Sequence, residues 1–260
     1  MKPRKLLIKL GGTLLDAPEL RERLAREIGA AAGDSNHRVV VVHGGGKQMT
    51  RYLAERGVES RFVNGLRVTT PEISDAVLKV FAGTVNAGLV TAFRAAGAQP
   101  VGLTGLDAGL VDAELLDPEL GHVGKPVRSN ARLLDLLTEG SYLPVVACVA
   151  GDASGNVYNV NADQMAVACA ASFVAESLVF LTDVEGVRDK DGNICPVLTC
   201  DQARALIREG VATGGMQAKL EAAMDALSKG VRQVLIAPGA VAGVVSALLG
   251  GRSAGTRLIL

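Results

Sequence analysis

The 260-residue chain has no tryptophan, and its aromatic residues amount to three tyrosines and five phenylalanines. So thin a supply argues against the aromatic platforms on which single-stranded nucleic acid stacks. Histidines number three, and His37, His43 and His122 fall in no metal-ligating spacing. His43 reads as a packed, hydrogen-bonded side chain. Neither charge sign is in excess, with 27 basic residues against 27 acidic ones. A balanced chain has no overall pull toward nucleic acid or an anionic membrane, so any anion it recognises must be met locally.

Cys148, Cys169, Cys195 and Cys200 contain no CxxC pair and are too sparse for a disulfide scaffold. With no secretory signal, they read as reduced thiols, used as small buried hydrophobes in a cytoplasmic protein. The longest uncharged run, residues 233–251, is interrupted by Pro238, Gly239 and Gly243. That pattern predicts strand, turn and helix, not a membrane span. Familiar nucleotide signatures are missing too. Gly46-Lys47 is followed by Gln48 where a P-loop needs Ser or Thr, and no GxGxxG follows any strand. A nicotinamide-dependent oxidoreductase is therefore disfavoured.

What the chain does have is alternation between short leucine- or valine-rich runs and longer alanine-rich stretches. Strands are predicted at 5–10, 38–42, 99–103, 143–149, 177–182 and 232–236. Helices are predicted near 18–31, 46–56, 72–96, 129–139, 162–175, 200–209, 216–229 and 240–249. Turn residues around 120–128 and 147–159 predict two β-hairpins. Apolar strands with helical crossovers imply an α/β fold, an αβα sandwich with a mainly parallel central sheet. Met216, Leu220, Met224 and Leu227 recur at helical spacing and predict a core-facing stripe. Residues 80–93 (VFAGTVNAGLVTAF) carry no charge and predict a helix buried on all sides, its small residues permitting a two-fold homodimer contact.

The chemistry-bearing residues sit at the ends of these runs. LLIKLGG (6–12) puts Lys9 on the face opposite Leu6, Ile8 and Leu10, just before Gly11 and Gly12. VVVVHGGGKQ ends the second strand with Gly44, Gly45 and Gly46. Two glycine turns on one sheet edge point to anion binding by backbone amides. GGMQAK (214–219) places Lys219 in or near the first turn of a helix, where a cation is unfavourable unless an anion sits on the helix end. NVYNVNADQMA (156–166) sets Asn159, Asn161 and Asp163 at alternate positions before a helix. Either Asn161 or Asp163 could cap that helix, or Asp163 could orient nearby lysines. Arg67, between a glycine turn and the Thr70-Pro71 helix start, suits a carboxylate. Asp183 and Gly186 end a further strand on the same edge.

Taken in order, KLGGT, HGGGK, NGLRVT, VGKP, YNVNAD, LTDVEGV and TGGMQAK resemble the amino acid kinase superfamily, and within it the N-acetylglutamate kinases, over essentially the whole chain. The resemblance implies ATP-dependent phosphorylation of the side-chain carboxylate of an acylated amino acid, N-acetylglutamate, with Mg²⁺ carried by the nucleotide. It implies two lobes, 1–175 for the amino acid and dimerisation and 176–260 for the nucleotide. Lys9 and Lys219 would flank the transferred phosphoryl group, with Asp163 holding both. Gly44 and Gly45 would present amides, and Arg67 and Asn159 would grip the amino acid's α-carboxylate end. Gly11, Gly12, Asp183, Val184, Gly186, Val187, Val211, Thr213 and Met216 would lie around the nucleotide.

Lys47, Gln48 and Lys125-Pro126 depart from the family pattern near the substrate, and IAPGA (236–240) lacks the usual Asp or Asn after its strand. These departures leave a sibling kinase open, acting on a carrier-bound or differently acylated glutamate or aminoadipate, with Lys125 and Arg128 as its basic contacts. A non-catalytic regulatory domain of the same fold is a further alternative. Arginine-inhibited relatives carry an additional amino-terminal helix that links dimers into a ring. Its absence before the first strand here implies a homodimer insensitive to arginine.

Overall fold

The apolar runs form strands and the stretches between them form helices in a computed structural model, which describes residues 2–252 and 254–260. The chain opens with β1 (Arg4–Leu10), a single helical turn α1 (Gly12–Leu15), α2 (Pro18–Gly33), β2 (His37–His43) and α3 (Gly46–Ala54). A hairpin of β3 (Phe62–Val63) and β4 (Leu66–Arg67) leads into α4 (Pro71–Val77), a π-helical segment (Leu78–Val85) and α5 (Asn86–Ala95). Next come β5 (Pro100–Thr104), β6 (Val111–Leu115), β7 (Val123–Ser129), α6 (Arg132–Glu139), β8 (Leu143–Ala147), β9 (Val149–Gly151), β10 (Val157–Val160) and α7 (Ala162–Ser172). The last third holds β11 (Ser177–Thr182), β12 (Val197–Thr199), α8 (Cys200–Arg208), α9 (Gly214–Ser228), β13 (Gln233–Pro238), α10 (Val244–Leu249) and β14 (Thr256–Ile259).

Eight strands form one sheet in the order β12-β14-β13-β11-β1-β2-β8-β5. Neighbours run parallel throughout, except that β14 is antiparallel to β13. Helices cover both faces, α2 packing with α5 and α10 on one side and α7 with α9 on the other. β1 is central and reads out both faces by simple alternation. Leu6 and Ile8 line a small cavity together with Val245 and Leu248 of α10. Lys5 and Lys9, on the opposite face, meet the two ends of α7, at Phe173 and Asp163.

Four strands outside the main sheet, β10-β7-β6-β9, close into a small barrel. This corrects the hairpin expected at 120–128: that segment is one strand, β7, whose antiparallel partner β6 lies ahead of it at 111–115. The hairpin expected near 147–159 is present as β9 and β10. In the α9 stripe Leu220 and Leu227 are fully buried, while Met216 and Met224 cover the core's edge.

The uncharged helical stretch departs from its expectation. Val80, Phe81, Val85, Leu89 and Phe93 are buried, but Gly83, Thr84, Ala87 and Thr91 face outward. Small side chains with little apolar area lose little by exposure, so lack of charge alone did not demand burial within one chain. The helical run Pro71–Ala95 has the length and hydropathy of a bilayer span, yet 44 % of its most apolar window is packed inside this fold.

Candidate active site

Parallel pairing sets three turns side by side, because Leu10 is in register with both Leu181 of β11 and His43 of β2. The carboxyl ends of these strands are where open α/β sheets bind ligands. Gly11 leaves β1 with its amide donated to Leu181 O at 3.0 Å, and a Cβ on Gly12 would already touch Gly46 N at 3.5 Å. The turn after β2 is closed to a side chain at Gly45 and tight at Gly44, while Gly46 faces open space. A Cβ on Gly45 would lie 2.8 Å from the Phe81 ring, and one on Gly44 would lie 3.3 Å from Ala162. Both turns therefore present bare backbone to the same edge.

Lys9 lies one residue before the end of β1 and is 7 % exposed. A buried ammonium needs a partner, and Asp163, 8 % exposed, supplies it with Oδ1 at 2.7 Å from Nζ. The contact is an ion pair off the line of a good hydrogen bond, and Oδ1 has no other donor. Lys219 Nζ lies 3.8 Å from the other oxygen, Oδ2. Burial pushes the Asp163 carboxyl up, but the charges of Lys9 and Lys219 outweigh it and hold the group below its usual range. Two ammonium groups 210 residues apart in sequence thus share one carboxylate.

α7 shows why Asp163 is free to do this. Asn161 caps the helix, its side chain accepting from the amides of Asp163 at 2.9 Å and Gln164 at 3.2 Å, so the helix end is satisfied without Asp163. Lys219 sits on the sixth residue of α9, in the second turn and not the first. Its stem points back toward the helix start, and the unfavourable dipole has already fallen off there. No side chain caps α9, and no acidic residue occupies its first turn, so its amide end is open. A cleft of about 820 Å³ runs from Asp163 and Lys219 past Gly214 and Gly215 to the β3–β4 tip at Asn64 and Gly65.

Arg67 is buried and, among the described residues, held only by neutral groups: Ser60 Oγ, Gly46 O at 3.1 Å, Thr50 Oγ1 at 2.7 Å and the face of Phe62. Burial lowers its pKa, yet a guanidinium stays charged, and that charge is left for a ligand to answer. Asn159 is tied to the Arg67 main chain through Thr69, whose hydroxyl donates to Arg67 O at 2.9 Å and accepts from Asn159 Nδ2 at 3.0 Å. Asp183 and Val184 are exposed beyond β11. Burial would raise Asp183, but its own backbone amide, the Thr13 and Thr182 hydroxyls and the Lys219 charge together hold it low. Thr213 is exposed, and Val211 and Met216 are half-buried at the start of α9.

Gly186 and Val187 are not brought to this surface as side-chain contacts. Val187 is fully buried, and its amide is taken by Thr256 Oγ1 at 2.8 Å. Lys47 is exposed, and Gln48 is turned to Asp16 at 2.9 Å. Arg128 is paired with Asp112, and Lys229 with Asp225, so the surface around Lys125 is not a broad basic patch.

His43 is packed and hydrogen-bonded as expected, but two supports went unseen in the sequence, Asn86 behind His43 and Thr69 beside Arg67. His43, fully buried, has Nδ1 2.8 Å from Gly44 O and receives Asn86 Nδ2 at Nε2, 3.0 Å away. Thr69 joins Arg67 to Asn159. The only available signal was polarity: a lone Asn in an uncharged helix and a Thr two residues from an Arg.

Paired lysines on a buried aspartate, bare glycine turns and an open helix end define a site for moving a phosphoryl group between anions. The chain belongs to the amino acid kinase family, whose sequence pattern it matches over residues 4–238. It is 61 % identical over 255 residues to the acetylglutamate kinase of Solibacter usitatus, covering 98 % of this chain and 99 % of that one. It is 44 % identical over 250 residues to the acetylglutamate kinase of Acidobacterium capsulatum, covering 95 % and 96 %. Among solved structures it resembles the Neisseria gonorrhoeae N-acetylglutamate synthase complexed with coenzyme A and N-acetyl-glutamate, with a TM-score of 0.86 and 25 % identity. All of this chain corresponds to 60 % of the synthase.

Proposed function

We propose that this chain transfers the γ-phosphoryl group of ATP to the side-chain carboxylate of N-acetyl-L-glutamate, giving ADP and N-acetyl-L-glutamyl 5-phosphate for arginine biosynthesis. The observation that carries the reading is the convergence of Lys9 and Lys219 on Asp163. A carboxylate with a pKa near ~4 is already ionised, so its attack needs no general base. The barrier lies in bringing two anions together and in the charge on the phosphoryl group in flight. In this reading Lys9 and Lys219 flank that group, and Asp163 orients both ammoniums without being a base. Gly44 and Gly45 offer amides to acceptor and phosphoryl oxygens, while Arg67 and Asn159 take the α-carboxylate end.

The nucleotide's phosphates would rest against Gly11, Gly12 and the open amide end of α9, with Asp183, Val184, Val211, Thr213 and Met216 around it. Gly186 and Val187 would shape that region from behind. Mg²⁺ is taken to travel with the nucleotide and neutralise phosphate charge. The donor set of ammonium groups and backbone amides suits phosphate oxygens and not a bare cation. The compensated charges at Arg128 and Lys229 favour a small free substrate over a carrier-bound one, and four free cysteines fit the cytoplasm.

Hydroxylamine trapping tests the reaction directly. With ATP present, N-acetyl-L-glutamate is expected to give acyl hydroxamate well above N-succinyl- and free glutamate. No hydroxamate from any of the three would sink the kinase reading.

The proposal includes a homodimer across the outward face of the π-helical segment and α5, where Gly83, Thr84, Ala87 and Thr91 form an uncharged strip. A Cβ on Gly88 meets nothing within 4 Å, so the folded monomer tolerates a substitution there. Light scattering is expected to give the mass of two chains for the wild type and one for Gly88→Arg. A monomeric wild type would remove the dimer.

A further inference from the structure

Thr69 is fully buried, and its main chain is fastened to the segment that precedes β7. Thr69 N donates to Leu120 O at 2.8 Å, and His122 N donates to Thr69 O at 2.7 Å. Asn159 N in turn donates to His122 O at 2.9 Å. The backbone of β10 and the strand end carrying Arg67 are thereby locked to a common strip. Within that frame the Thr69 hydroxyl donates to Arg67 O at 2.9 Å. A hydroxyl has one proton, and a carbonyl can only accept. With that proton committed, Oγ1 can only accept from its other neighbour, the Asn159 amide. Asn159 therefore turns Nδ2 toward it, at 3.0 Å. The reverse orientation would set Oδ1 against an oxygen with no proton left to give, at a hydroxyl fully buried from water.

We propose that Thr69 is a positioning residue for the bound amino acid: it dictates which edge of the Asn159 amide stands near Arg67. Nδ2 carries two protons, and Thr69 takes one. The second stays available, and among the described residues the Arg67 guanidinium donates only to neutral groups, so both retain capacity for an anion. Two N–H donors of this kind match the α-carboxylate of an acylated amino acid, whereas a flipped amide would offer a lone pair and repel it. For the identity of the ligand the inference rests on the kinase reading above. The positioning logic itself needs only a carboxylate at Arg67.

Calorimetric binding tests it independently of turnover, using N-acetyl-L-glutamate and 4-acetamidobutanoate, the same molecule without its α-carboxylate. Thr69→Val keeps the shape and removes the hydroxyl. It is expected to weaken N-acetyl-L-glutamate about 10-fold, the order expected when a buried donor loses its acceptor. Binding of 4-acetamidobutanoate and of a non-hydrolysable ATP analogue should be unchanged, and Thr69→Ser should restore most of the loss. Should Thr69→Val fold poorly, Asn159→Asp carries the test, since a carboxylate offers only acceptors and must show the same selective loss. Equal weakening of both acids, or no weakening of either, overturns the proposal. N-acetyl-L-glutamate that binds the wild type but is never phosphorylated defeats the kinase reading alone. A wild type that does not bind it defeats both.

Discussion

Lys9→Ala and Lys219→Ala are each expected to lower kcat by roughly 10²–10³-fold, the range for removing one preorganised donor from a transition state that gathers negative charge. Folding should suffer far less. With Lys9 gone, Asp163 keeps Lys219 at 3.8 Å, and burial then moves its pKa upward so that a proton can replace the lost charge. Lys219 sits at the cleft's edge with a fifth of its side chain exposed, so its removal leaves no large void. Steady-state ADP release, read beside thermal unfolding, checks both halves. Near-normal turnover in both variants would refute the assignment. Thermal unfolding that collapses while the residual folded fraction turns over normally would make the pair structural.

Stability is expected to fall by up to about 3 kcal/mol between pH 6.5 and pH 4 on account of His43 alone. Its ring is fully buried. Burial lowers its pKa to about 4 from 6.5, a shift only partly countered by the Gly44 carbonyl. The folded pKa is the depressed one, so the unfolded chain binds the proton first as pH falls. Stability is complete above the unfolded value and drains away toward the folded one. At roughly 1.36 kcal/mol per unit, that interval sets the size of the effect. The ring's hydrogen-bond partners, Gly44 O and Asn86, do not titrate, so His43 is the titrating group in this contact. Urea unfolding across the interval, comparing wild type with His43→Gln, isolates it from the carboxylates. The wild type should lose more stability than the variant, and parallel curves would contradict the depressed pKa.

The fold was legible because each run of β1 obeys one rule at a time. Leu6, Ile8 and Leu10 alternate with Leu7 and Lys9, and in the sheet one set faces α10 across a small cavity while the other meets α7. A glycine pair marked the end of β1 and a glycine triplet the end of β2, and Thr70-Pro71 marked the start of α4, where Thr70 accepts from Ile73 N. The edges were harder. β12 and β14 are three and four residues long, too short for periodicity to register. β6 pairs with β7 across a register shift, so the turn residues near 120 were visible while the partner strand was not. The π-helical turns of Leu78–Val85 follow from packing: they carry Phe81 and Val85 under Gly45 and set Asn86 against His43.

By itself the sequence determined the layered α/β class, the sheet edge that carries the chemistry and the residue types a phosphoryl site needs, since these depend on local periodicity, turn stereochemistry and charge. Only the tertiary structure decided that Asn161 is the cap and Asp163 the shared counter-ion. It alone set Thr69 between Arg67 and Asn159 and turned one face of an uncharged helix outward. Those outcomes depend on which groups meet at three to four ångströms after folding, and no spacing along a chain encodes a distance across it.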